Sequence, residues 1–346
     1  MLNFASNDYL GLGVSEELRQ KVARNFQKYG TSASSSRLVS GNYGTMNRAE
    51  QEYARYFGYE AALFFPSGYQ ANVGLLSALF ERNDTVFFDK HIHASSVKGL
   101  SLSGASLQGY NHNSMAHLRR RLARHGGAPT AVLTESLFSM DGDRLDLPGF
   151  GRLKEEYGFF SIIDEAHAFG ALGAQGRGLA RQVADVAVGT FGKALGLFGA
   201  FVLLPEALRD FLGNFSSPLI YSTALPEAQA ASALDILEML AASDDQRASL
   251  SEVSVMMRER LAAAGFKVQG EAHILALEIG DEREALEVSR EMLSRDIFVF
   301  PVRFPTVPLG RAILRIGLTA LHDAGDVERF IQALKDSGAK LGVNHG

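Results

Sequence analysis

Short apolar runs alternate with segments of helical periodicity through the middle of the chain, from about Arg48 to Leu204. The runs cover residues 61–66, 85–89, 131–135, 159–164, 183–190 and 198–204. Strands covered by helices on both faces are apolar along their length, and such strands alternate with helices in parallel sheets. The pattern therefore predicts an α/β fold with a mainly parallel central sheet.

The two ends of the chain have a different pattern. Residues 15–29 are typical of one helix, with Ser15 as the N-cap and Gly30 as the terminator. Residues 227–265 are rich in Ala and Leu and indicate long helices, and a mixed α/β pattern follows them. We expect an N-terminal arm and helix in residues 1–30, a large domain in residues 31–225 and a smaller α/β domain in residues 226–346.

Composition narrows the classes of function. The chain has 346 residues, 46% hydrophobic and 21% charged, which is sufficient for a large core. The net charge is −5, and the basic run at residues 119–121 predicts an exposed helix face, so we expect no nucleic-acid partner. The absence of cysteine excludes disulfides and thiolate chemistry. Without a leader pattern or an apolar stretch of about 18 residues, we expect a cytoplasmic protein with no membrane partner.

A carboxylate and an amine follow two of the predicted strands. Asp164 ends one apolar run, and Lys193 lies just after the run that ends at Phe191. Open α/β sheets bind ligands at the carboxyl edge of their strands. Pyridoxal phosphate chemistry requires a lysine that forms a Schiff base with the cofactor aldehyde and an aspartate that keeps the pyridine nitrogen protonated. We therefore expect pyridoxal 5′-phosphate as the cofactor of the large domain.

Two other interpretations compete for these residues. The sequence Asp-Glu-Ala-His also occurs in helicase-type ATPases, which need a Gly-x-x-x-x-Gly-Lys-Ser/Thr loop. The only Gly-Lys pair here, Gly192-Lys193, is followed by alanine, which disfavours an ATPase. Alternatively, Asp164 caps a strand-to-helix turn and Lys193 is a solvated surface residue.

A turn after the first apolar run is suited to a phosphate group. Gly68 and Tyr69 open a helix there, and the first N–H groups of a helix have no partner within it. Thr190 adds a hydroxyl group close to Lys193 in the sequence. A glycine after a strand is by itself only a turn signal, so this assignment depends on the neighbouring motifs.

Three histidines follow strand ends. We interpret His93 as a residue that stacks on a flat cofactor ring, and His167 as a partner of the cofactor's phenolic oxygen or as a turn cap. His91 and His93 also match part of a zinc site, but no convincing third ligand accompanies them, so we expect no metal.

Arg315 lies in an apolar segment that predicts a strand near the C-terminus. An arginine in such a strand needs an anionic partner. A substrate carboxylate bound by both ends of the guanidinium group is one candidate, and an internal salt bridge is the other.

Taken together, motifs spread in order from residue 3 to about 340 resemble the α-oxoamine synthases. They are Asn7-Asp-Tyr-Leu-Gly-Leu, Leu38-Val-Ser-Gly-Asn, Ser67-Gly-Tyr, His93-Ala-Ser, Phe138-Ser-Met-Asp-Gly-Asp, Asp164-Glu-Ala-His, Thr190-Phe-Gly-Lys, Tyr221-Ser-Thr and Pro305-Thr-Val-Pro. The resemblance implies pyridoxal phosphate fold type I, the aspartate aminotransferase-like fold, and a reaction between an amino acid and an acyl thioester.

The resemblance also implies a role for each matching residue. Lys193 would be the Schiff-base lysine and Asp164 the partner of the pyridinium nitrogen. Ser222 would bind the phosphate of the neighbouring subunit, which implies a homodimer with shared active sites. The remaining implied roles are stacking by His93, contacts to the ring hydroxyl region by His167 and Ser139, phosphate binding by Gly68, Tyr69 and Thr190, and substrate binding by Asn7, Arg315 and Thr306.

Within the family, three of the motifs favour the biotin-pathway member, which condenses L-alanine with a pimeloyl thioester on coenzyme A or an acyl carrier protein and releases carbon dioxide. The alternatives are a sister enzyme for glycine or serine with another acyl thioester, and a non-catalytic relative. The sequence departs from the family pattern at three places, all on the acyl side. The longer segment that usually precedes Asn7 and carries an arginine is missing, a serine-rich stretch at residues 31–36 replaces the family's glycine- and serine-containing one, and Met46 stands in place of a histidine. The sequence therefore specifies the acyl chain of the substrate less closely than it specifies the cofactor.

Overall fold

The computed structural model describes residues 1–126 and 131–338. Its helices are α1 Glu16–Tyr29, α2 Gly44–Phe57, α3 Gly68–Leu79, α4 Ala94–Leu102, α5 Met115–His125, α6 Leu147–Tyr157, α7 Glu206–Phe215, α8 Ser217–Tyr221, α9 Glu227–Ala241, α10 Asp244–Ala263, α11 Glu282–Ser294 and α12 Ala324–Asp336. Its strands are β1 Leu2–Asn3, β2 Ala61–Phe65, β3 Thr85–Asp89, β4 Ser106–Tyr110, β5 Ala131–Glu135, β6 Phe160–Asp164, β7 Val186–Thr190, β8 Ala200–Leu204, β9 Val268–Gln269, β10 Ile274–Gly280, β11 Ile297–Phe298, β12 Phe300–Val302 and β13 Ala312–Gly317.

The chain forms two compact units, whose boundaries differ from the predicted ones. The larger unit comprises Leu12–Leu137 and Arg144–Ala242, and the smaller comprises Met1–Gly11, Phe138–Asp143 and the chain from Ser243. Helices α1 and α9 both belong to the larger unit, since Asn25 Nδ2 on α1 donates to Asp235 Oδ2 on α9 at 2.7 Å. The division between the units therefore comes after α9 and not at residue 226. The arm, Met1–Gly11, belongs to the smaller unit, whereas helix α1 belongs to the larger one.

The larger unit contains a seven-stranded sheet in the order β2-β8-β7-β6-β5-β3-β4. Neighbouring strands from β4 to β7 run parallel, and β8 is antiparallel to both of its neighbours, β2 and β7. The mainly parallel sheet predicted from the apolar runs is thus confirmed, and each run contains an observed strand. Strand β4 was not predicted because this edge strand is largely polar and partly exposed.

The two faces of this sheet pack against separate groups of helices. Val86, Ile162 and Val186 belong to one core, which includes residues of α3, α4 and α7. Phe87 and Ile163 belong to the other core, which includes residues of α5 and α6. Successive side chains of a strand point to opposite faces, so strands that are apolar along their whole length hold helices on both faces.

The smaller unit contains a four-stranded antiparallel sheet in the order β12-β13-β10-β9. Strand β13 is central in this sheet, with Arg315 opposite Ala276 of β10 and Phe300 of β12. Arm strand β1 pairs in parallel with β11. Within the described ranges, no helix combines the length and hydrophobicity that a membrane crossing requires.

Candidate active site

Asp164 lies at the carboxyl edge of the large sheet, where strand β6 ends, and its side chain is buried. Its Oδ1 accepts a hydrogen bond from the Ala166 N–H at 2.9 Å, and its Oδ2 accepts one from Asn72 Nδ2 at 2.9 Å. Both oxygens are therefore held by donors, which fixes the orientation of the side chain.

His93 precedes helix α4 and acts as its N-cap. Its backbone N–H donates to Glu135 Oε1 at 2.6 Å. Its Nδ1 lies 2.7 Å from Ser95 Oγ and accepts the Ser95 N–H at 3.2 Å. Although the residue as a whole is exposed, burial of this edge of the imidazole lowers the pKa of His93, with a further lowering from Lys193 and an opposing effect of Asp164.

Lys193 and His167 meet at the same edge of the sheet. Lys193 follows β7, and its Nζ lies 2.7 Å from His167 Nε2. His167 is buried in the turn after β6, in which the Ala168 N–H donates to the Glu165 carbonyl at 2.8 Å. The amine is thus held in place by a side chain from the adjacent strand end.

Two buried glutamates surround this group. Glu135 lies opposite Asp164 in the register of β5 and β6, and burial, together with the charge of Asp164, raises its pKa well above the usual range. Burial likewise raises the pKa of Glu165. Glu165 accepts hydrogen bonds from Ser136 Oγ at 2.6 Å and from the Ala180 N–H at 2.6 Å, so it ties the loop after β6 to strand β5.

The predicted phosphate turn has the expected local structure. Helix α3 begins at Gly68, and the N-cap Ser67 Oγ accepts the Gln70 N–H at 3.2 Å. The N–H groups of Gly68 and Tyr69 precede the helix's own hydrogen bonds. A Cβ atom added to Gly68 would lie 3.9 Å from Thr190 Cβ, so the helix start and Thr190 are neighbours.

The smaller unit brings two predicted residues, Asn7 and Ser139, into contact with the buried Arg315. Arg315 Nε donates to the Ser139 carbonyl at 2.6 Å, and its Nη2 donates to Asn7 Oδ1 at 3.3 Å. Tyr9 OH also donates to Asn7 Oδ1 at 3.0 Å, and burial raises the pKa of Tyr9 to about 12. No salt bridge joins Arg315 to a carboxylate of residues 1–126 or 131–338, so the internal salt bridge considered from the sequence is not observed.

Three residues considered at the sequence level are not linked to these groups by the contacts described above. Ser222 follows α8 and lines a small cleft with Arg37. Thr306 is exposed in a turn. The ring of His91 stacks on that of His112 with centroids 4.0 Å apart, whereas Nδ1 of His93 faces Ser95.

Two functional candidates were missed by sequence reasoning. Asn72 donates both to Asp164 and to Ser95 Oγ, the latter at 3.0 Å, and Ser95 in turn contacts His93. Asn72 lies three residues after the Ser67-Gly-Tyr motif, and Ser95 ends His93-Ala-Ser. Neither motif indicates from its sequence that a polar residue in it or near it meets a strand end elsewhere in the fold.

With this geometry in place, the class of protein is defined. Residues 1–334 match the model of the family "aminotransferase class I and II", and the chain belongs to this family. The predicted fold type I architecture and the resemblance to α-oxoamine synthases are confirmed.

The relatives define the chain more closely. It is 41% identical over 342 residues to the 8-amino-7-oxononanoate synthase of Acidithiobacillus ferrooxidans, covering 97% of this chain and 88% of the relative. The enzyme of the same name from Geobacter sulfurreducens is 40% identical over 347 residues, covering 98% of this chain and 89% of the relative.

Solved structures show the same likeness. Sphingomonas wittichii serine palmitoyltransferase superposes with a TM-score of 0.93 at 28% identity, covering 97% of this chain and 86% of that one. The 8-amino-7-oxononanoate synthase of Francisella tularensis superposes with a TM-score of 0.85 at 29% identity, covering 98% of each chain.

Proposed function

We propose that this protein is a pyridoxal 5′-phosphate-dependent acyltransferase that condenses L-alanine with a pimeloyl thioester and releases carbon dioxide, giving 8-amino-7-oxononanoate for biotin biosynthesis. The observation that carries this proposal is the meeting of Asp164, Lys193 and His167 at one sheet edge, in a chain 41% identical over 97% of its length to an enzyme of that name. The polar groups present fit the cofactor at both of its ends.

The functional group of each residue indicates which part of the cofactor it would hold. The N–H groups of Gly68 and Tyr69 and the hydroxyl of Thr190 suit a phosphate. The carboxylate of Asp164 suits a protonated ring nitrogen, and the amine of Lys193 suits an aldehyde. When bound, pyridoxal phosphate supplies that aldehyde and a cationic ring that accepts the electron pair left at Cα of the amino acid.

Further residues would act on the substrate and on the ring. Lys193 Nζ removes the proton from Cα of alanine and later returns a proton to the product. His93 stacks on the ring, while His167 and Ser139 bind its hydroxyl region. Arg315 and Asn7 bind the carboxylate of the amino acid, supported by the absence of a carboxylate partner for Arg315 in the described part of the chain.

Thr306 is assigned to the substrate pocket on the match of its motif alone. The thioester carrier is coenzyme A or an acyl carrier protein, and the two are to be compared directly in the assay.

A homodimer with shared sites is part of the proposal, because Ser222 would bind the phosphate held by the partner subunit. Exposed apolar residues near Ser222 support it: Tyr221 is 82% exposed and Val39 is 78% exposed. Their segments adjoin each other, since the Ala224 N–H donates to the Ser35 carbonyl at 2.9 Å. Exposed apolar clusters of this kind are typical of protein interfaces.

Borohydride reduction followed by peptide mapping tests the cofactor assignment. We expect the pyridoxyl group on Lys193 and none on a Lys193→Ala protein. Labelling of another lysine in cofactor-loaded protein would overturn the assignment.

Product analysis tests the substrates, with alanine, glycine and serine each offered pimeloyl, acetyl, succinyl and long-chain thioesters on both carriers. We expect alanine with pimeloyl to be the best pair. Serine with a long acyl chain is the principal competitor, since the serine palmitoyltransferase structure superposes with a TM-score of 0.93. Faster turnover of that pair, or of glycine with a short acyl group, would retain the class of enzyme and refute the named reaction.

A further inference from the structure

A chain of hydrogen bonds connects Asp164 to His93 through two buried side chains that have no assigned role. Asn72 is 3% exposed and Ser95 is 1% exposed. Asn72 Nδ2 lies 2.9 Å from Asp164 Oδ2 and 3.0 Å from Ser95 Oγ, and Ser95 Oγ lies 2.7 Å from His93 Nδ1. The chain links three elements: the second turn of α3, the first turn of α4 and the end of β6.

The direction of each hydrogen bond follows from the numbers of donors and acceptors. An ionised carboxylate only accepts, so Asn72 must turn its NH₂ group toward Asp164. The second hydrogen of that NH₂ group is donated to Ser95 Oγ. The single hydroxyl hydrogen of Ser95 is then available for His93 Nδ1, which also receives the Ser95 N–H at 3.2 Å. Two donors therefore converge on Nδ1, and this atom carries no proton.

The energetic balance around Asn72 agrees with this direction. Asn72 Oδ1 is buried and has no hydrogen-bond partner among the described residues. A buried acceptor without a partner is costly, and a flip of the amide would leave the two N–H groups pointing away from Asp164 and Ser95. The observed orientation of the amide is the more stable one, because both of its hydrogens are donated, one to the Asp164 carboxylate and one to the Ser95 hydroxyl.

The charged groups around His93 oppose its protonation on balance. Asp164 favours the imidazolium form, while Lys193 and burial disfavour it, and burial is the largest of the three effects on its pKa. Glu135 accepts the backbone N–H of His93. Burial raises the pKa of Glu135 well above its usual range, which disfavours a negative charge on that group.

We propose that Asn72 is a positioning residue that aligns the Asp164 carboxylate and, through Ser95, holds His93 as the neutral tautomer protonated at Nε2. The consequence for catalysis rests on the function proposed above. A neutral imidazole stacked on a ring that Asp164 keeps cationic avoids the repulsion between two like charges. Asn72 thus sets the orientation of the Asp164 carboxylate and, through Ser95, the charge of the His93 imidazole.

Nitrogen-15 NMR of histidine-labelled protein prepared without cofactor tests the tautomer, with the His93 signals assigned from a His93→Gln protein. We expect an unprotonated Nδ1 and a protonated Nε2 at neutral pH. In Ser95→Ala the pKa of His93 should rise by about one pH unit, because the hydroxyl donor to Nδ1 is lost. In Asn72→Leu it should rise in the same direction, because the Ser95 hydroxyl is no longer held by Asn72 in the orientation that donates to Nδ1. Ser77→Ala is the matched control, since Ser77 Oγ on α3 donates only to the Val73 carbonyl, and it should leave the His93 signals unchanged.

Two outcomes would overturn the proposal: a proton on Nδ1 in the unmodified protein, or an unchanged tautomer and pKa in both variants. If Asn72→Leu does not fold, as judged by circular dichroism, Ser95→Ala decides, because it removes one hydroxyl from a side chain at a helix start. Failure to bind pyridoxal phosphate would refute the proposed function and leave the tautomer result intact. The two failures are therefore distinguishable.

Discussion

Replacing Asp164 with asparagine separates the electrostatic role of this side chain from its structural role. In the unmodified protein each carboxylate oxygen accepts one hydrogen bond, from the Ala166 N–H and from Asn72 Nδ2, both at 2.9 Å. Asparagine at position 164 offers one acceptor and one donor in the same space. One of the two contacts therefore becomes a contact between two donors, unless Asn72 turns its Oδ1 toward the new amide.

The structural cost and the chemical cost of this change differ in size. A buried donor left without an acceptor costs about 1–3 kcal/mol, which is less than the roughly 5–15 kcal/mol that stabilises a typical domain. The fold should therefore persist. The lost negative charge would no longer hold a proton on the cofactor ring, and removal of one such electrostatic contact typically slows a reaction by about 10²–10³-fold, or roughly 3–4 kcal/mol.

The assay is exchange of the Cα hydrogen of alanine for deuterium, followed by proton NMR on cofactor-saturated protein. We expect slower exchange in Asp164→Asn by about two to three orders of magnitude, with a thermal midpoint lowered by only a few degrees. Asp146→Asn is the matched control, because Asp146 caps α6 by accepting the Gly149 N–H and asparagine is an equally good cap. Exchange at the unmodified rate in Asp164→Asn protein with bound cofactor would refute the assigned role.

Three further predictions concern other charged groups. Arg37→Met should lower the free energy of unfolding by about 3–5 kcal/mol in urea titrations, since it leaves the buried Glu50 carboxylate without its ion pair, and Arg37→Met with Glu50→Gln should recover part of this loss. Burial raises the pKa of Glu135, so stability is lost as the pH rises from 4.5 toward that higher value. Glu135→Gln should therefore gain stability relative to the unmodified protein over this range in denaturation at several pH values, and a constant difference would contradict this. Arg315→Lys should raise KM for alanine about 10–100-fold and change kcat less in steady-state kinetics, because lysine cannot bind a carboxylate with two parallel N–H groups; an unchanged KM would exclude the carboxylate role.

The positions of Asp164 and Lys193 could be predicted because they follow from a simple rule. Each ends or follows a buried apolar run, and the carboxyl ends of parallel strands share one edge. The helix of residues 15–29 was predictable for a similar reason, since Ser15 and Gly30 supply the cap and the terminator that the structure shows. Local chemistry decides such features, so one sequence is sufficient for them.

Features that depend on contacts between distant segments were not predictable. Strand β4 has no apolar pattern of its own and forms only because β3 offers an edge. The end of the larger unit depends on α9 packing against α1, with Asn25 bonded to Asp235. The link from Asn72 to His93 likewise needs side chains from separate elements in one hydrogen-bonding geometry, which no periodicity encodes.

Arg315 shows how a structure can test one of two alternatives that a sequence leaves open. Its apolar strand predicted an anionic partner without indicating whether that partner belongs to the chain. Its side chain donates to the carbonyl of Ser139 and to the amide oxygen of Asn7, both neutral, and no described carboxylate forms a salt bridge with it. Neutral acceptors orient a guanidinium group but do not compensate its charge, and a buried uncompensated charge is costly. That cost is offset when an anion from outside the chain binds, and the carboxylate of an amino acid is an anion of the required shape.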